Sequence, residues 1–276
     1  SQADVTPGAE ETPVVVPEEQ PKEEAVPEEE SADQDDAIEA QELEALDETP
    51  AEPDMSAGIT HQNEGPTLIN LTDVAGDVIL KDDGLYIDTT RQAALNPDGY
   101  EFSTTPDNPD TTHGIVVQTN ENTSVTLYLN GVTMDLASNI TKACIECSHA
   151  NTTIVLKDNT TNNLTVNTAR RSKSSCVINK DGTDGLLIIG CKSSLDSTNA
   201  STHKCDETCG KLNVTNNSMH NAAIGSTSVC ALFEAGITTP VVNVARMFCN
   251  FHLKGGNLEL QGGQHGPGLG SSCANG

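Results

Sequence analysis

The sequence predicts an all-β chain: a right-handed parallel β-helix, or solenoid of repeated rungs, preceded by a disordered acidic segment. Three observations predict it. A short apolar triplet recurs along the chain, and each copy is followed by a longer alternating strand. Acidity is concentrated at one end: residues 1–54 hold 20 of the 41 Asp and Glu but one basic residue, Lys22. Large rings are scarce, with no Trp, three Tyr and four Phe, which suits a thin core of stacked aliphatics better than an ordinary globular one.

The leader, residues 1–57, is rich in Pro, Glu and Ala. Like charges repel, and too little apolar surface is present to offset the entropy of ordering the chain. Within it, Ala37 to Asp47 has the composition of a transient helix. A flexible spacer or stalk is the expected role, with an acidic interaction tail as the alternative. The remainder is only mildly acidic, at a net charge of about -8. Lys and Arg nowhere cluster with aromatics, so no nucleic-acid partner is expected. No apolar run approaches the roughly 20 residues of a membrane span.

Residues 58–112 are read as an N-terminal cap or first rung with a loop. Val78, Leu80, Leu85 and Ile87 suggest two short strands about a turn at Asp82-Asp83-Gly84. Residues 91–112 are dense in Pro, Asp and Gly, which predicts a loop.

The β-helix repeats are placed at 113–276. Their triplets are Gly114-Ile115-Val116-Val117, Cys144-Ile145-Glu146-Cys147, Cys176-Val177-Ile178-Asn179 and Ala223-Ile224-Gly225, with a fifth at Gly268-Leu269-Gly270. Longer strands follow at 125–132, 153–160 and 185–191, and third strands at 134–136, 164–167 and 211–216. A three-strand unit cannot bury its own apolar face, but stacked units bury a continuous interior. Ile115, Ile145, Val177 and Ile224 are expected to share one interior column. Extra loops at 192–210 and 227–250 lengthen the later repeats, and surface loops tolerate such growth. A β-sandwich is the rival architecture, but it predicts tight hairpins, and the linkers here are longer. The chain ends directly after a repeat motif, which reads as a fragment cut within its array.

The run VTLYLNGV (125–132), the segments AAIGS (222–226) and GPGLGSS (266–272), and LKGGNLELQGG (253–263) resemble the repeats of large surface proteins of anaerobic Gram-positive bacteria. Those proteins are of the carbohydrate-binding-domain-containing type. The resemblance covers 113–276 and implies a β-helix at a cell surface, but it specifies no activity. The cysteine and Asn/Thr content departs from that pattern.

The expected function is therefore an extracellular or cell-surface binding or adhesion scaffold, secreted or surface-located, whose partner is a host or matrix glycan or protein. Two alternatives stand beside it. One is an immunoglobulin-binding, superantigen-like surface protein. The other is a polysaccharide lyase-like carbohydrate-active enzyme, which needs clustered carboxylates and an aligned base. Asp181, Asp184, Asp206 and Glu207 are turn or loop acids with no such base. His252 and His265 are isolated, so no catalytic residue and no cofactor is assigned. Candidate ligand contacts lie on the inserted loops and include Lys192, His203, Lys204, Asp206, Phe233 and Glu234. Outward ladders of Asn and Thr offer hydrogen bonds to a glycan, and Tyr128 is the one ring of the array suited to sugar stacking. Soluble packing of stacked turns also accounts for the ladders.

Nine cysteines favour an oxidising compartment. Aligned triplets make Cys144 and Cys176 neighbours, bridged or as a thiol ladder. Cys191 with Cys209, and Cys230 with Cys249, are disulfide candidates that would pin the two inserted loops. No metal is assigned, although zinc held by Cys191, His203, Cys205 and Cys209 is conceivable. The CxxC of Cys144 and Cys147 is read as structural, since residues i and i+3 of a strand face opposite sides. Nine Asn-x-Ser/Thr triplets occur. They arise by chance in an Asn/Thr-rich chain, and serve as glycan acceptors only in a eukaryotic host.

Overall fold

The computed structural model describes residues 56–62, 64–168, 175–196, 204–218, 221–226, 248–264 and 266–271. Residues 1–55 of the acidic leader lie outside them. The described residues are almost entirely strand and turn. In chain order the strands are β1 (Ile59–Thr60), β2 (Thr67–Asn70), β3 (Val78–Lys81), β4 (Gly84–Ile87), β5 (Thr90–Ala93) and β6 (Tyr100–Ser103). Then follow β7 (Ile115–Val117), β8 (Ser124–Leu129), β9 (Thr133–Leu136), β10 (Ile145–Glu146), β11 (Asn151–Leu156) and β12 (Thr161–Val166). The rest are β13 (Ile178–Asn179), β14 (Leu187–Cys191), β15 (Lys211–Asn216), β16 (Ile224–Ser226), β17 (Phe251–Leu253), β18 (Asn257–Gln261) and β19 (Leu269–Ser271). Among the described residues the one helix, α1 (Lys192–Asp196), spans a single turn. Among the described residues no helix is long and apolar enough to cross a membrane.

Three sheets result. The first orders its strands β1-β2-β6-β8-β11-β14-β17, the second β19-β16-β13-β10-β7-β3-β4-β5, and the third β18-β15-β12-β9. From β7 onward each successive unit sends one strand to the second sheet, then the first, then the third. Every pairing between these units is parallel. Antiparallel pairs are confined to the N-terminal strands β1/β2, β3/β4 and β4/β5. The tight pair β3/β4 encloses the predicted turn at Asp82 and Asp83.

Inward-facing side chains stacked from strand to strand fill the interior. The first sheet stacks Tyr100, Leu127, Ile154 and Ile189, with Phe102, Leu129, Leu156 and Cys191 in the next column. All eight are fully buried. In the third sheet Met134, Leu164 and Val214 align. The second sheet aligns Val78, Ile115, Ile145, Ile178, Ile224 and Leu269.

That last column corrects one expectation. Ile145 pairs with Ile178, not Val177. Both residues are apolar and fully buried, so hydrophobicity does not distinguish them, and a shift of one residue goes unpenalised by pattern. A second correction concerns residues 91–112. They are not all loop: β5 and β6 lie there, and β6 sits between β2 and β8 with Tyr100 and Phe102 fully buried. The turn residues on either side concealed a four-residue strand of clear period two.

Candidate functional site

One of the chain's two long inter-strand connections lies at the corner where the chain passes from the first sheet to the third. Residues 130–132 join β8 to β9, 157–160 join β11 to β12, and 254–256 join β17 to β18. Between β14 and β15 the same corner holds residues 192–210. Register is unaffected on both sides of this insertion. Leu187 to Cys191 pair with Thr152 to Leu156, and Lys211 to Asn216 pair with Thr161 to Val166.

The neck of the insertion is tightly built. Cys191 ends β14 facing inward, and α1 begins at once, with the buried Ser194 hydroxyl donating to the Cys191 carbonyl at 2.9 Å. On the return leg the Asp206 carboxylate accepts from the Thr208 amide (2.8 Å) and hydroxyl (2.6 Å), closing a local turn. Flanking corners grip this leg: the Asn159 amide donates to the Thr208 carbonyl at 2.8 Å and the Asn257 amide to the Gly210 carbonyl at 3.1 Å. Asn257 also donates its side-chain amide to the Asp206 carbonyl at 2.9 Å. Gly210 is required by packing, because a Cβ there would lie 2.6 Å from both the Leu156 Cβ and the Lys157 carbonyl oxygen.

Three sulfurs meet at the neck. The Sγ atoms of Cys191, Cys205 and Cys209 all lie within 4.8 Å of one another, and Cys191 and Cys205 are 3.9 Å apart. The Gly256 amide donates to the Cys205 sulfur at 3.0 Å. Gly256 has φ +99°, which glycine alone adopts without strain. Cys191 and Cys209 are buried, whereas Cys205 is exposed. Burial pushes the Cys191 thiol up. Hydrogen bonds from the Ser194 hydroxyl and amide, and from Cys209 and Cys205, outweigh it and hold the thiol down at about 7. Cys209 moves the other way, raised by burial and by its neighbour Cys191.

Beside the neck, the third sheet carries a polar outer face. Asn213 donates to the Asn163 side-chain oxygen at 2.9 Å. A second ladder runs from Asn217 to Asn167 (2.8 Å) and from Asn167 to Asp135 (2.7 Å). Side by side, Thr165 and Thr215 fill the row between. The face ends in an open cleft of about 370 Å³ lined by Lys211, Asn213, Gly256, Asn257, Leu258 and Glu259. Gly256 and Asn257 therefore belong to both the cleft and the neck.

Lys180 marks a third feature. It is fully buried, and its ammonium donates to the Ser148 carbonyl at 2.8 Å and the Asp184 carbonyl at 2.6 Å. Burial pulls its pKa down, against the attraction of Cys147, Cys249, Asp184 and Asp181. Glu146 nearby accepts from the Ser148 amide and the Asn179 side chain, and burial raises its carboxyl.

The expected site residues fall as follows. Lys192, Lys204 and Asp206 are exposed at the neck. His203, Phe233, Glu234 and Cys230 lie outside the described residues. Cys249 is half-buried, with its thiol donating to the Gly182 carbonyl at 2.9 Å. The expected pair Cys191 and Cys209 is brought together, with Cys205 as a third member. Cys144 and Cys176 are not in register: Cys144 lies one residue before Ile145, opposite Val177, so the alignment that made them direct neighbours is off by one. Both are buried, unbridged thiols, and Cys144 donates to the Thr165 carbonyl at 3.5 Å. Cys144 and Cys147 are both fully enclosed, because β10 is only two residues long and the chain bends on either side of it. Asp181 and Asp184 lie in a turn, as expected, but the buried lysine beside them was missed. Tyr128 is half-buried on the outer face of the first sheet, in register with Glu101 and Val155.

Comparison of the chain with protein-family models, with curated proteins and with solved structures returns no match.

Proposed function

We propose that the described units wind as a right-handed parallel β-helix, and that the chain is a secreted or cell-surface binding scaffold whose ligand is a glycan. The observation that carries this is the amide ladder of the third sheet. Strands about 4.8 Å apart set Asn163 beside Asn213, and Asp135, Asn167 and Asn217 in a line, each hydrogen-bonded to the next. Such a lattice is flat and fixed. Asn163, Asn213 and Asn217 keep further donor and acceptor capacity for the hydroxyls of a saccharide, while Asn167 gives both amide hydrogens to Asp135 and the Leu136 carbonyl. Lys211 and Glu259 at the cleft add one cationic and one anionic group for orientation. Because the side chains already hold one another, little rotamer freedom is lost on binding.

The test is binding of the purified chain to neutral and acidic polysaccharides, with Asn213→Ala and Glu259→Ala as variants. These residues are half-buried and exposed, so the fold is retained. A bound polysaccharide whose affinity falls about tenfold in each variant supports the proposal. Overturning outcomes are no binding to any polysaccharide, binding indifferent to both substitutions, or capture of immunoglobulin variable domains from serum in place of glycan.

A further inference from the structure

We infer that Cys191, Cys205 and Cys209 form a trithiolate site for one thiophilic d10 cation of the zinc class, with the remaining coordination position facing solvent.

Geometry carries the argument. A disulfide joins two sulfurs, about 2.05 Å apart, and leaves a third unused. Here three sulfurs form a triangle with no side above 4.8 Å, and the side from Cys191 to Cys205 is 3.9 Å. Zinc–thiolate bonds of about 2.3 Å in a tetrahedral array set sulfurs about 3.8 Å apart. The triangle is thus already the size of a three-cysteine face, so an ion can be taken up with small side-chain adjustments.

The surroundings point the same way. The Gly256 N–H aimed at the Cys205 sulfur is the kind of outer contact that holds a thiolate in place and offsets its charge. Access is restricted to one side, since Cys191 and Cys209 are buried and Cys205 is open. The corner has also made room by omitting side chains. A Cβ on Gly255 would lie 2.5 Å from the Ser194 hydroxyl and 3.2 Å from the Cys205 sulfur. An all-thiolate donor set selects Zn²⁺ or Cu⁺ over Mg²⁺ and Ca²⁺.

The site has a role in the fold. Cys191 is where the chain leaves the first sheet, and Cys205 and Cys209 lie just before it re-enters the third. One ion fastens exit to return. It also fixes the Cys205–Gly256 contact, and with it one wall of the cleft. This assignment does not depend on the glycan reading, since metal uptake is measured without any saccharide.

The experiment uses the whole chain, purified under reducing conditions and stripped of metal. Zn²⁺ is titrated against a chromophoric chelator, and Co²⁺ serves as a spectroscopic probe. Expected results are one ion per chain, a thiolate-to-cobalt charge-transfer band with a tetrahedral d–d spectrum, and protection of all three cysteines from alkylation. Cys205→Ser, at an exposed position, should weaken binding more than about tenfold with an unchanged circular dichroism spectrum, whereas Cys144→Ser leaves it intact. The inference is overturned by the absence of saturable one-to-one binding, or by binding that survives Cys205→Ser. It is equally overturned if peptide mapping of the chain purified without reductant finds two of the three joined in a disulfide.

Discussion

Replacing Lys180 by Met tests the claim that a buried ammonium ties one unit to the next. The side chain is fully buried, and its Nζ donates to the Ser148 carbonyl at 2.8 Å and the Asp184 carbonyl at 2.6 Å. Longer contacts reach the carbonyls of Gly182 at 3.4 Å and Asp181 at 3.5 Å. Hydrogen bonds to a charged group contribute about 1.5–3 kcal/mol each, so the two short bonds are together worth roughly 3–6 kcal/mol. Methionine restores most of the packing volume and removes the desolvation of the ammonium, yet it leaves the carbonyls without a donor. The expected net loss is about 3 kcal/mol. For a structured region of this size that lowers the melting temperature by about 6–12 °C. Urea denaturation of wild type and variant measures it. A pH signature accompanies the loss. The native pKa of Lys180 lies below its ordinary value of 10.5, so in the alkaline window beneath that value the unfolded chain binds more protons than the folded one. Stability contributed by Lys180 therefore rises with pH in that window, and the gap between wild type and variant widens. A loss under about 1 kcal/mol, or a gap that narrows as pH rises, refutes the reasoning.

Two further outcomes are expected. Ile178→Ala removes a fully buried side chain from the column of Ile115, Ile145 and Ile224, and should cost about 2–5 kcal/mol in urea unfolding; a cost below 1 kcal/mol would contradict the observed register. Cys144, Cys147 and Cys176 have thiols driven far above the ordinary range, chiefly by burial. In the metal-free native chain at neutral pH, alkylation read by peptide mass mapping should therefore label exposed Cys205 and spare these three until denaturant is added, and early labelling of any of them would show that the interior is not closed.

How much of this was legible depends on what kind of signal each feature leaves. Strands β8 and β15 alternate over six residues, β11 and β14 carry apolar runs, and the sequence pattern locates each of them. β6 alternates too, but it is four residues long and enclosed by Asn96-Pro97-Asp98-Gly99 and Pro106-Asp107, so turn chemistry outweighed it. The slip at Val177 has another cause. Around β13, Cys176, Val177, Ile178, Asn179 and Lys180 are all buried, so no polar residue reports which side chain faces inward. Spacing within the chain suggested a bridge between Cys191 and Cys209, with a zinc site drawing also on His203 and Cys205 as the less favoured reading. Deciding between them requires knowing how Asp206 turns the return leg, and no periodicity encodes that. Lys180 was invisible for a related reason: lysine reads as solvent-exposed unless carbonyls converge on it, and its four acceptors come from two units.

The insertion at 192–210 brings these threads to one place. The first-to-third corner is three or four residues long in the other units, yet it accepts a far longer excursion here without losing register on either strand. Lengthening a loop adds little closure entropy once its ends are held. The burden therefore falls on the neck, and it is there that cysteines, glycines and the Asp206 turn are concentrated. Gly256 and Asn257 carry that order across to the next unit, through the Cys205 sulfur and the Asp206 carbonyl. Those same two residues line the polar cleft. Fastening the neck thus bears chiefly on the surface proposed to meet a ligand, because it sets one wall of the cleft. If the neck loosens, the cleft should lose its shape before the interior columns lose their packing, because those columns are held independently by parallel pairing along all three sheets.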